Sequence, residues 1–290
     1  MKRILLLVLL LLGACDSGPP PPQVVVYAPA GYENARNRWL EESDFQVTVI
    51  LGDSAKNTDK IIAGQDSPRA DVLITSSAID IWRAGDQGAL RPMFEASLRH
   101  MPPELRDPDN TWAAVGHSSF LIGFTAGEVP SVVRQYADLG SSEFAGQLCL
   151  TSSSLPANRA LIGMLIEDLG LKPAERVVRS WVRNLAQVPY STEAELVDAL
   201  ESGVCGGGIV LASPDTGSLT RITPEPTYRD IHGIGVTRHA ENPEAGQQFV
   251  ERMLSKLSGL EPVNSNGKNI GIAGWRDEEA RLLAERAGYR

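Results

Sequence analysis

Five short stretches of this chain gather the side chains that could do chemistry. They are residues 28–32 ending in Tyr32, Thr75-Ser76-Ser77, Thr151-Ser152-Ser153-Ser154 with Asn158 beyond, Tyr190-Ser191-Thr192, and Ala212-Ser213-Pro214-Asp215-Thr216. Each follows an apolar run and precedes a helix-like stretch. Hydroxyls and backbone N–H groups in that position suit an oxyanion or a polar solute. They equally suit helix N-caps, which Ser, Thr and Asp supply in any case. Several such loops at strand ends favour a lined cleft, with candidate ligand-binding residues Tyr32, Ser76, Ser77, Ser152, Ser153, Ser154, Asn158, Tyr190, Ser191, Ser213 and Asp215.

Catalytic patterns are weaker. No Gly-x-Ser-x-Gly turn occurs, and His100, His117, His232 and His239 lie in unrelated contexts. His117 beside Ser118 and Ser119 reads as a strand histidine. Cys205-Gly206-Gly207-Gly208 lacks the Lys-Ser/Thr of a phosphate loop and runs into Ile209-Val210, so close strand packing explains it. No cluster has zinc spacing. A hydrolase would require a nucleophile–base pair within hydrogen-bond reach. The sequence therefore predicts a non-enzyme without a cofactor, apart from a metal ion or oxyanion carried as ligand.

The elements that must position these residues alternate between strand and helix. Val24-Val25-Val26-Tyr27 is a continuous apolar run of the kind buried on both faces. Strand patterns follow at 45–51, 70–75, 112–125, 147–151, 185–189, 207–212 and 231–237. Helical patterns cover 33–42, 58–64, 79–88, 157–169, 173–184, 192–202, 243–257 and 276–287. The alternation predicts an α/β fold with parallel sheets. In such sheets ligands collect beyond the carboxyl ends of the strands, where the hydroxyl-rich loops lie.

The first fifteen residues specify a compartment. Met1-Lys2-Arg3 precedes an apolar run from Ile4 to Leu12 and then Gly13-Ala14-Cys15, a secretory signal too short to span a bilayer. Leu12-Gly13-Ala14-Cys15 resembles the bacterial lipobox, which implies cleavage after residue 14 and lipidation of Cys15. Asp16 resembles the signal that retains lipoproteins at the inner membrane. Residues 15–23 are a proline-rich tether. Cys149 and Cys205 remain in an oxidising compartment, where they are read as a disulfide, two free thiols being the alternative.

The whole chain carries 27 basic and 36 acidic residues, a formal net charge of −9. Loss of Lys2 and Arg3 with the signal leaves 25 against 36, or −11. That balance argues against nucleic acid and anionic lipid as partners, since both reward basic patches. Some 290 residues suit two lobes better than one core.

Residues 67–75, 81–90, 101–108, 136–139, 146–154 and 233–240 together resemble the periplasmic ferric-iron-type solute-binding proteins of bacterial ABC importers. The resemblance covers nearly all of the chain beyond the signal. It implies a two-lobed periplasmic-binding-protein-like fold of type II, with parallel-rich sheets flanked by helices and hinge strands between lobes. One lobe would comprise 24–113 plus 231–262, the other 114–230 plus 263–290. The paired cysteines match a pattern of many members. A monomer is expected, working with an ABC permease from the outer face of the inner membrane. Such proteins hold iron(III) with adjacent tyrosines after the strand that here ends at Leu211. Here that stretch has no tyrosine, Gly31 stands where a histidine is common, and Tyr32 remains. The departure leaves three readings. Metal binds through Tyr32, Asp215 and an anion at Ser152–Ser154; or the cleft takes a small polar or anionic solute; or the chain is a non-transport accessory or sensing lipoprotein.

Overall fold

The computed structural model describes residues 21–42, 44–99, 101–125, 133–212, 218–256 and 272–290. The expected signal peptide, Cys15, Asp16, most of the tether, Ser213 and Asp215 lie outside them. The described strands are β1 Gln23–Pro29, β2 Gln46–Gly52, β3 Val72–Ile74, β4 Ala113–Phe124, β5 Leu148–Cys149, β6 Gly207–Leu211, β7 Thr220–Ile222 and β8 Arg229–Val236. The described helices are α1 Glu33–Glu42, α2 Ser54–Ile62, α3 Ala78–Asp86, α4 Glu95–Leu98, α5 Pro156–Leu169, α6 Leu171–Asn184, α7 Glu193–Glu201, α8 Pro243–Ser255, α9 Ile272–Trp275 and α10 Asp277–Ala287.

The strands form one path in the order β2-β1-β3-β8-β4-β6-β5, with β7 also on β4. The α/β expectation holds, but the sheet is mixed. β1 pairs in parallel with β2 and β3, and β5 with β6, whereas β4 and β8 pair antiparallel with all their neighbours. The reason lies in β4: residues 113–119 pair with β8 and residues 120–124 with β6, so one long strand serves both halves of the sheet. The strand expected at 185–189 is reduced to isolated bridges from Leu185 to Leu148 and from Tyr190 to Thr151.

Apolar residues of β1, β3 and β8 pack against α8 through Val26, Val72, Ile234, Phe249 and Val250. In the other half α5, α6 and α10 enclose Trp181, Leu161 and Leu165. The parallel register of β5 and β6 brings Cys149 to Cys205, and the two form a disulfide. The glycine run before and within β6 is close packing. A Cβ at Gly208 would stand 2.6 Å from the Cys149 carbonyl oxygen, and one at Gly207 would stand 3.0 Å from the Phe124 ring.

Candidate functional site

Between the two halves opens a cleft of about 460 Å³. One wall comes from segments that follow the parallel strands β1, β2 and β3, as expected where helix N-termini converge beyond strand ends. Pro29 ends β1 and leads through a short turn to Tyr32. Asp53 follows β2 and caps α2 by accepting from Lys56 N–H at 2.8 Å. Ser77 follows β3 and caps α3. The opposite wall holds Leu155, Pro156 and Ala157 at the start of α5, Glu193 at the start of α7, and Leu211 and Ala212 at the end of β6. The floor carries Ser118 of β4 and His232 of β8.

The polar centre is a relay of three side chains. Tyr32 Oη lies 2.9 Å from His232 Nδ1, and His232 Nε2 lies 3.0 Å from Ser118 Oγ. Burial pushes the Tyr32 hydroxyl well above the ordinary phenol range, so it is protonated at neutral pH. Burial, reinforced by the neighbouring His117, pushes His232 down to about 4. A neutral imidazole donates at one ring nitrogen and accepts at the other, and the hydroxyls of Tyr32 and Ser118 can each serve either role. Ser118 and His232 stand within the hydrogen-bond reach that a hydrolase's nucleophile and base would need. The other ring nitrogen, however, faces a neutral phenol where hydrolases place an orienting carboxylate. An imidazole held near 4 is also a weak base.

Two carboxyls face the same space. Asp80 accepts from Ser54 Oγ at 2.7 Å, while Ser54 Oγ accepts from Ser76 N–H at 3.1 Å. Asp80 Oδ1 is buried without a hydrogen bond, and burial raises the carboxyl to about 6 despite Ser54 and Arg83. Glu193 accepts from Leu211 N–H at 2.6 Å and is pushed by burial to about 7. Behind them Asp230 of β8 accepts from Ala78 N–H at 2.8 Å, and burial raises it to about 7. Among the described residues no three of His, Cys, Asp and Glu group as a metal site. Any metal held here would combine a phenol, an imidazole and carboxyls drawn from different elements.

Of the residues singled out in the sequence, Tyr32, Ser76 and Ser77 line the cleft. Ser152, Ser153, Ser154, Asn158, Tyr190 and Ser191 do not line it, because their hydrogen bonds serve local structure. Ser152 and Ser154 bond each other, Ser153 Oγ donates to Tyr289 O, and Asn158 Nδ2 donates to Thr151 and Ser152. Tyr190 bridges to Thr151, and Ser191 N–H donates to Glu195. Sequence reasoning missed His232, Ser118, Asp80 and Glu193. Tyr32 and His232 are 200 residues apart, a separation that no local spacing rule detects.

No family model matches the chain. It is homologous to iron uptake protein A1 of Synechocystis sp., 25% identical over 240 residues that cover 76% of this chain and 66% of that protein. The chain thus spans just under two thirds of that relative's length. Among solved structures, Trichodesmium FutA (IdiA) in complex with iron and citrate superposes with a TM-score of 0.79 at 23% identity, covering 92% of this chain and all of that one. The ferric binding protein from Campylobacter jejuni gives 0.79 at 19% identity, with the same coverage. The fold is therefore that of type II periplasmic binding proteins, as the sequence resemblance implied. These proteins are uptake and binding proteins rather than enzymes, which agrees with the non-enzyme reading. The expectation of no cofactor does not stand, since the Trichodesmium neighbour holds iron and citrate. That expectation rested on the lack of zinc-type spacing, and ligands gathered from separate loops leave no such spacing.

Proposed function

We propose that this protein is a periplasmic solute-binding component of an ABC importer whose cargo is iron accompanied by a carboxylate anion. The observation that carries the reading is the Tyr32–His232 pair in a cleft between two halves joined by β4 and β8. Phenolate oxygen matches a hard trivalent cation, and a neutral imidazole adds a nitrogen donor. Asp80 and Glu193 would complete the protein's share. The single cleft tyrosine leaves coordination positions for a small anion, and the N-termini of α2, α3, α5 and α7 around the cleft favour one. The relatives support the reading: one is named for iron uptake, and one structural neighbour holds iron with citrate.

The two lobes, 24–113 plus 231–262 and 114–230 plus 263–290, would close on the cargo about the crossing strands and present the closed form to a permease. Lipid at Cys15, with Asp16 following, would keep a monomeric chain at the outer face of the inner membrane beside that permease. A metal-free anionic solute is the second reading, favoured by the hydroxyls of Ser54, Ser76, Ser77 and Ser118 along the cleft.

Thermal unfolding with ferric citrate, citrate alone and a metal panel separates the two. Iron cargo predicts a rise in Tm with ferric citrate well above that with citrate alone, together with a visible tyrosinate-to-iron absorption band. Tyr32→Phe should abolish the band and weaken loading at least tenfold. An equal Tm rise with citrate alone and no visible band would establish the second reading instead.

A further inference from the structure

Ser118 alternates along β4 with His117 and Ser119, and on β8 His232 alternates with Ile231 and is three residues from Arg229. Register pairs Ser119 with Arg229 and His117 with Ile231. Paired residues of neighbouring strands share a face, and successive residues alternate between faces. His117, Ser119 and Arg229 therefore share the face opposite Ser118, and each is partly exposed. None of the three lines the cleft.

Two nitrogens in this group lack partners. Arg229 Nε and His117 Nδ1 are buried without a hydrogen bond, and no carboxylate is paired with Arg229 among the described residues. Burial, reinforced by the Arg229 guanidinium, lowers the pKa of the His117 imidazole. An uncompensated guanidinium beside an imidazole and a hydroxyl, in a chain of net charge −9, presents donors with nothing to receive them. The guanidinium fork fits two oxygens of a carboxylate or phosphate, and an imidazole and a serine hydroxyl on the same strand face add further hydrogen-bonding groups.

We propose that His117, Ser119 and Arg229 form an oxyanion site on the face of the crossing strands turned away from the cleft, taking a small carboxylate or phosphate. Its position on the strands shared by both halves makes anion occupancy sensitive to their relative twist. The proposal does not rest on the cargo assigned to the cleft.

The test is calorimetric titration of inorganic phosphate, and separately of citrate, into the metal-free full chain at fixed ionic strength. One saturable site is expected for at least one of the two anions. Arg229→Gln should weaken it at least fivefold and His117→Asn measurably, whereas Tyr32→Phe should leave it unchanged. Absence of saturable binding by either anion, or unaltered binding in Arg229→Gln, would overturn the site. Binding that follows Tyr32 instead of Arg229 would assign the anion to the cleft and overturn it equally. Where Arg229→Gln fails to fold by circular dichroism, Arg229→Lys keeps the charge and removes the fork. Weakened binding in that variant supports the site, and unchanged binding refutes it.

Discussion

At the residue scale, the cleft is surrounded by ionisable groups whose charged forms burial disfavours. Asp230 is the clearest case, with its carboxyl raised from 3.8 to about 7. A raised carboxyl costs nothing below the unfolded value, where both states are protonated. As pH rises from about 4 to about 7 the unfolded chain releases its proton first, so this stability is lost across that window. His232 runs the other way: its folded value lies near 4, below 6.5, so its contribution is lost as pH falls between those values. The opposed windows overlap, and the wild-type profile alone does not separate them. Asp230→Asn keeps an oxygen for Ala78 N–H but cannot ionise. Its stability relative to wild type should therefore improve between pH 5 and pH 8, by about 2 kcal/mol on a scale of roughly 1.4 kcal/mol per pKa unit. Urea unfolding at both pH values measures the difference, and a variant–wild-type gap that does not change with pH would refute the account.

At the element scale, the sequence read best where periodicity and strand-end chemistry agreed. Buried runs became β1, β3 and β6, and the expected helices recur as α1, α3, α5, α6, α7, α8 and α10 within a few residues. Loops after β1 and β3 delivered Tyr32, Ser76 and Ser77 to the cleft. The serines before α5 look identical in sequence, yet Ser152, Ser153 and Ser154 are consumed by turn and C-terminal contacts, because short hydroxyl side chains readily bond nearby backbone. His232 was illegible for another reason: only the pairing of β8 with β4 gives it its place beside Ser118. The cysteine pair was legible by elimination and by its two strand starts. Its link spans 56 residues of chain, and replacing both cysteines by serine should cost about 4 kcal/mol in the chain-entropy model. Denaturant melts of oxidised wild type and the double variant test this. A cost below about 1 kcal/mol would mean that β5 and β6, with Leu196, Leu200 and Val210 around them, hold together without it.

At the scale of the whole molecule, the sheet connects its halves through few strands. β4 spends residues 113–119 on β8 and residues 120–124 on β6 and β7, with an irregular register between Ala114 and Gly116. A bulge disrupts the ladder locally and concentrates bending where it occurs. The cleft draws its lining from both halves, so under the proposed closure a change of twist along β4 would alter the separation of its walls. Under the proposed function, cargo touching Tyr32 on one wall and Glu193 on the other would gain contacts as the walls approach, and its differential affinity for a closed form would supply the driving force. Loading with ferric citrate should therefore reduce the radius of gyration measured by small-angle X-ray scattering. Tyr32→Phe, which leaves the strands untouched, should keep the unloaded value at the same iron concentration. Compaction of the variant equal to that of wild type would separate closure from the Tyr32 contact and place the driving force on the opposite wall.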